Sequence, residues 1–126
     1  MIFVDTNVFA YAVGTPHPLR EQARTFFRDN GIVGMNLCTS AEVIQELLHI
    51  YRPVERLEDM RRALEVIADA DIAVWPLEHE DIALAMTLAE QYPALSARDL
   101  CHLASCQRRG IARIKTYDRA LASAFA

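Results

Sequence analysis

Short apolar runs alternate along this chain with longer amphipathic stretches, and that alternation limits the fold more than any other feature. Ile2-Phe3-Val4 is the first run. The glycine-punctuated GIVGMNLC puts a second strand near 35–38, DIAVWP is a third, stopped by Pro76, and IARIK is a fourth. The opening run lacks the in–out alternation of a sheet with one wet face, as a strand covered on both sides should. Between the runs lie helical patterns. GTPHP breaks the chain, and Leu19, Ala23, Phe26 and Phe27 then recur at helical spacing over 19–29. Thr39 to Glu42 fits a capping box, which starts a helix near Ser40 that continues through Val43, Ile44, Leu47, Leu48 and Tyr51 to Pro53. A second helix follows with Leu57, Met60, Leu64 and Ile67 on one stripe. Residues 79–91 form another, with Ile82, Ala85, Met86 and Ala89 inward. A helix from about Ala97 to Arg109 is ended by Gly110, and YDRALASAF is a short last one. Strands alternating with helices predict an α/β fold with a short parallel sheet of about four strands flanked by helices. The two helices between strands two and three exceed a minimal crossover and predict a helical hairpin insertion.

At 126 residues and 52% hydrophobic, the chain suits one compact domain over 1–126, and it contains no linker or internal repeat. No apolar run approaches the roughly 20 residues of a membrane span. Asp5 interrupts the first apolar stretch too early for a secretion signal, so a cytoplasmic location is expected. Cys38, Cys101 and Cys106 have no metal-ligand spacing and read as small apolar residues in a reducing compartment. The net charge of −4 is uneven. Residues 98–119 carry net +4, from Arg98, Arg108, Arg109, Arg113, Lys115 and Arg119 against Asp99 and Asp118, which leaves −8 elsewhere. Such a patch attracts phosphates, with Arg108, Arg109 and Arg113 the expected contacts, although solvated helix ends have the same composition.

Open α/β sheets bind ligands at the carboxyl ends of their strands. Asp5 stands at that end of strand one. Glu46 lies on the helix after strand two, Asp99 in the first turn of the helix before strand four, and Asp118 just past strand four. Four carboxylates gathered there would repel unless a cation neutralised them, and Mg²⁺ or Mn²⁺ prefers such all-oxygen sites. The matching chemistry is phosphodiester hydrolysis, in which a metal activates water and stabilises charge on the phosphate. Thr6 and Asn7 would position Asp5 or hydrogen-bond a bound water. Each acid also has a structural reading. Asp5 can cap the segment starting at Thr6, Ser96 to Asp99 fits a capping box, and Asp118 can cap the last helix. Glu42 has the capping-box role one turn before Glu46, which leaves Glu46 without a structural task. His49 and His102 lie three residues after Glu46 and Asp99 and read as core or rim histidines; His17 and His79 read as exposed.

The blocks FVDTNVF, TSAEVIQELLH, SARDLCHLASCQRRGI and RIKTYDRAL, in that order, resemble the PIN domain, and more closely the VapC toxins of bacterial toxin–antitoxin modules. The likeness covers nearly the whole chain. It implies a three-layer PIN-like fold and a Mg²⁺- or Mn²⁺-dependent endoribonuclease whose carboxylates fall on Asp5, Glu46, Asp99 and Asp118. The family's polar residue two positions after the first acid falls on Asn7, and its Ser or Thr before the fourth acid on Thr116. The resemblance also implies an RNA substrate, a cognate antitoxin and a homodimer. Many members continue into a last short strand that is expected to be absent here. Two other readings stand beside it: a non-catalytic RNA-binding or interaction module, and a phosphatase or phosphorelay domain. The last is disfavoured because Asn7 occupies the position where phosphatases of that kind carry a second Asp. A groove on the helix of 19–29 and the hairpin of 40–70, with Phe26, Phe27 and Leu57, is expected to receive an apolar antitoxin segment.

Overall fold

The structure, a computed structural model, describes residues 1–31 and 36–126. The elements are β1 (Ile2–Val4), α1 (Thr6–Val13), α2 (Arg20–Asn30), β2 (Leu37–Ser40), α3 (Ala41–Tyr51), α4 (Leu57–Asp69), β3 (Ala73–Trp75), α5 (His79–Leu88), α6 (Ala97–Arg108), β4 (Arg113–Lys115) and α7 (Arg119–Ala124). The strands form one parallel sheet in the order β3-β2-β1-β4, with Ile2 opposite both Leu37 and Arg113. β2 is described from Leu37, and Met35, the first residue of the expected strand, lies outside the described residues.

From β1 the chain steps one way to β2 and β3, then crosses back to β4. Right-handed crossovers put the helices of those two directions on opposite faces. Accordingly α1 to α4 pack on one another and share a core with β1 and β2, while α5, α6 and α7 surround a second, smaller one. The result is the expected three-layer α/β fold with a short parallel sheet, and α3 and α4 form the predicted hairpin. α1 has no polar stripe. Val8, Phe9, Ala12 and Val13 are all buried, so its sequence carries no amphipathic signal and pattern alone does not reveal it.

Several inward faces differ from the expected ones. α4 buries Asp59, Met60 and Ala63, whereas Leu57 and Leu64 are exposed. α5 buries Asp81, Ala85 and Leu88, whereas Ile82 is exposed and Met86 is 81% exposed. Both helices are turned by an aspartate at their third position. Arg56 and Arg62 hold Asp59 at 2.6 and 2.8 Å, and Arg108 and Arg109 hold Asp81 at 2.7 and 3.0 Å. Leu48 is exposed on α3. The α3 cap also shifts by one residue: Ser40 accepts from the Val43 N–H, while Thr39 Oγ1 donates to the Val4 carbonyl at 2.9 Å. Glu42 therefore has no capping role and lies 3.7 Å from Arg98. Gly110 follows α6 at φ +70°, a conformation that favours glycine.

The Phe27 ring packs tilted against Phe9 at 5.1 Å in the core and Phe26 packs against the same core, so of the three expected groove residues only Leu57 is exposed. Cys38 and Cys106 are buried, Cys101 is half-buried, and all three are free thiols. Burial pushes the Cys38 thiol up to about 11. Among the described residues no helix is long and apolar enough to cross a membrane.

Candidate active site

The direction of chain travel reverses between β1 and β4, and their carboxyl ends open a crevice of the kind that binds ligands in such sheets. Asp5 follows β1 directly, and its N–H donates to the Lys115 carbonyl at 3.0 Å, extending the β1–β4 ladder to the crevice mouth. The side chain is buried and tied on both oxygens. Oδ1 accepts from the Thr6 N–H at 2.7 Å, and Oδ2 accepts from Thr116 Oγ1 at 2.7 Å. Asp5 thus caps α1 and lines the crevice at once.

Asn7 braces the same corner. Its Nδ2 donates to Thr116 Oγ1 at 3.3 Å, its Oδ1 accepts from the Tyr117 N–H at 3.1 Å, and Thr116 Oγ1 also accepts from the Asp118 N–H at 3.0 Å. Asp118 caps α7 by accepting from the Leu121 N–H at 3.0 Å. Asp99 lies at the third position of α6, where its N–H donates to Ser96 Oγ at 3.2 Å. Glu46 reaches in from α3, with Oε2 accepting from Thr6 Oγ1 at 2.8 Å. Asp5, Thr6, Asn7, Glu46, Asp99 and Asp118 line one cleft of about 340 Å³.

Beneath the cleft lies His102, only 1% exposed, with its ring 5.5 Å from Phe3. Its Nε2 donates to Glu46 Oε1 at 3.0 Å and lies 3.7 Å from Asp5 Oδ1. The expectation of a core histidine holds, but the residue also joins two of the acids. A histidine one turn after Asp99 in an apolar helix was the only sequence signal. Its partner Glu46 is 56 residues away and could not be read from spacing.

The electrostatics follow from burial and partners. Burial raises the Asp5 carboxyl above its ordinary value, against the lowering effects of His102, Thr116 and Thr6. Burial and nearby Asp118 raise Asp99, partly offset by Ser96. Burial also acts on Glu46, but the bond from His102 and that from Thr6 outweigh it and hold Glu46 low. For His102, burial opposes the imidazolium, yet Glu46, Asp5 and Asp99 together raise its pKa.

Among the described residues no three His, Cys, Asp or Glu side chains are arranged to hold a metal as they stand. In this arrangement Asp5 and Glu46 each have both oxygens engaged in hydrogen bonds. The donor chemistry nevertheless suits a hard divalent ion. Every donor is oxygen, and the carboxylates outnumber their cationic partners.

The basic residues are elsewhere. Arg108 and Arg109 converge on Asp81 at the far end of α6 from Asp99, and Arg109 also pairs with Glu78 at 2.6 Å and stacks over Trp75 at 4.8 Å. Both guanidinium groups pair with these acids and lie away from the acidic cleft, and the expectation that they meet RNA phosphates stays an expectation. Arg113 is exposed but begins β4, at the opposite end of the strand from Thr116.

The PIN domain family model matches residues 2–124. Ribonuclease VapC23 of Mycobacterium tuberculosis is 54% identical over 125 residues, which cover 99% of this chain and 98% of that protein. Ribonuclease VapC13 of Mycobacterium tuberculosis is 35% identical over 119 residues, 94% of this chain and 91% of that one. The crystal structure of Mycobacterium tuberculosis VapC20, described as a sarcin–ricin loop cleaving toxin, superposes with a TM-score of 0.83 over 98% of this chain and 95% of that chain. At 17% identity this last likeness is one of fold. Fold, sequence and the ordered acidic blocks agree: the chain belongs to the PIN-domain family and, within it, to the VapC-type ribonuclease toxins.

Proposed function

We propose that this protein is a metal-dependent endoribonuclease toxin, a single PIN domain over residues 1–126, that acts in the cytoplasm and is neutralised by a cognate antitoxin. One observation carries the reading: Asp5, Glu46, Asp99 and Asp118 line one cleft at the strand switch point. Those residues would hold Mg²⁺ or Mn²⁺. When bound, the ion supplies Lewis acidity toward the phosphate and makes water a stronger nucleophile.

The chain's own groups supply the positioning. Thr6 and Thr116 hold Asp5 in one orientation, and Asn7 locks the end of β4 beside it. His102 holds Glu46 from below, so that an acid on a helix is registered against an acid on a strand. Water rather than the ribose 2′-hydroxyl attacks, so the products are a 5′-phosphate and a 3′-hydroxyl. Structured RNA is the proposed substrate class, in keeping with the loop-cleaving activity named for VapC20. A homodimer and a basic antitoxin segment that reaches the acids complete the reading.

The test incubates the protein with defined RNA hairpins, a transfer RNA and a phosphomonoester, with Mn²⁺ or with EDTA. Mn²⁺-dependent cleavage of RNA that leaves 5′-phosphate ends is the expected result. Phosphomonoester hydrolysis alone, or no cleavage of any RNA, would overturn the proposal.

A further inference from the structure

Arg108 and Arg109 are bound to acids at the far end of α6 from the cleft, so they do not line an approach to it. A second cavity, of about 310 Å³, adjoins the acidic cleft and shares Ala10, Tyr11 and Ile50 with it. One wall is an aromatic stack: the rings of Tyr11 and His17 are 4.2 Å apart and inclined by only 19°. Tyr11 also lies 5.5 Å from Tyr117, and Lys115 Nζ sits 4.9 Å over the Tyr117 ring. His17 is exposed, while Tyr51 lines the same cavity and is buried. The Tyr51 hydroxyl has no hydrogen-bond partner among the described residues.

Stacked planar π faces in a short cavity beside the acidic cleft suit a base better than a peptide helix, which needs a long apolar groove. We propose that this cavity is a base-binding subsite, in which one unstacked nucleobase of the RNA, adjacent to the bond to be cut, stacks on the His17–Tyr11 pair. Stacking is indifferent to net charge, so it provides a hold that an acidic protein can use. The inference rests on the ribonuclease reading for its substrate.

The test uses the full chain in EDTA, so that no RNA is cut, and hairpin RNAs in which each loop residue in turn is abasic. One position is expected at which loss of the base weakens binding roughly 5- to 100-fold. In His17→Ala, a change on an exposed loop, that difference should vanish, because the natural and abasic RNAs then bind alike. Equal binding of natural and abasic RNAs at every position would overturn the subsite. So would a His17→Ala protein that keeps its RNA affinity but loses the antitoxin, which would give the cavity to the protein partner. Adding Mn²⁺ to the same RNAs reads the other proposal separately. Cleavage without base coupling sinks only the subsite, and base coupling without cleavage sinks only the ribonuclease reading.

Discussion

α6 carries a charged cluster at each end, and the two are balanced in opposite ways. At the C-terminal end, Asp81 and Glu78 face Arg108 and Arg109, and Asp81 is 0% exposed. Burial pushes the Asp81 carboxyl up, but the Glu78 N–H and both arginines outweigh it and hold it below its ordinary value. At the N-terminal end, Asp5, Glu46, Asp99 and Asp118 have one buried imidazole among them. There burial prevails, and Asp5 and Asp99 are raised. A cluster that neutralises itself can serve as scaffold. One that does not costs stability and has a use only if something from outside completes it.

The largest expected effect comes from the unbalanced end. Asp5→Asn and Asp99→Asn should each abolish RNA cleavage while the protein stays folded. The sign of the stability change follows from the raised pKa of Asp99. Its contribution to stability is present below its ordinary value and is lost as the pH rises through the raised one. Metal-free Asp99→Asn should therefore melt no lower than the parent at neutral pH, and full activity in either variant would end the assignment.

Next comes the imidazole that joins the two sides of the cleft. His102→Leu keeps the packing on Phe3 but removes the donor to Glu46, and should lower Mn²⁺ affinity or activity roughly 10–100-fold. His102→Gln, which offers a neutral N–H, should recover part of the loss. If both variants bind Mn²⁺ as the parent does, His102 is core packing alone.

A smaller effect, read in a different quantity, tests the balanced end. Asp81→Ala removes a buried carboxylate from two arginines and the α5 cap, and should cost about 2 kcal/mol in urea unfolding. Cleavage per folded molecule should not change. Because the Asp81 pKa is lowered, its contribution is present above the ordinary value and lost as the pH falls through the lowered one, so the variant should also lose stability less steeply in acid. A loss of activity greater than the loss of folded protein would show that the two ends are coupled. The smallest effect separates neighbouring acids on α3. Glu42→Gln should cleave RNA almost like the parent, whereas Glu46→Gln should not, as measured on the same RNA.

The sheet and the four acids were legible because each acid stands at a fixed offset from a strand end or a helix start. Residues at such offsets share one edge of a parallel sheet whatever the packing. Helix rotation was not legible in the same way. On α5 an apolar stripe through Ile82 and Met86 is as good a pattern as one through Ala85 and Leu88, and the choice falls to Asp81 because arginines from α6 reach it. On α4 Asp59 decides the matter in the same manner. The His102–Glu46 bond likewise joins distant segments. The pairing of Arg108 and Arg109 was hidden for the same reason, since a basic run looks identical whether water or a buried acid awaits it.

The bond from Thr116 to Asp5 spans 111 residues. A ribosome that adds 5–20 residues per second needs on the order of ten seconds to make that much chain. Until then Asp5 has neither Thr116 beside it nor a fourth strand against β1. The cleft is therefore incomplete until that segment is made, and local helix contacts can be in place before it. A nascent chain holds no finished cleft until Thr116 and its neighbours have been made.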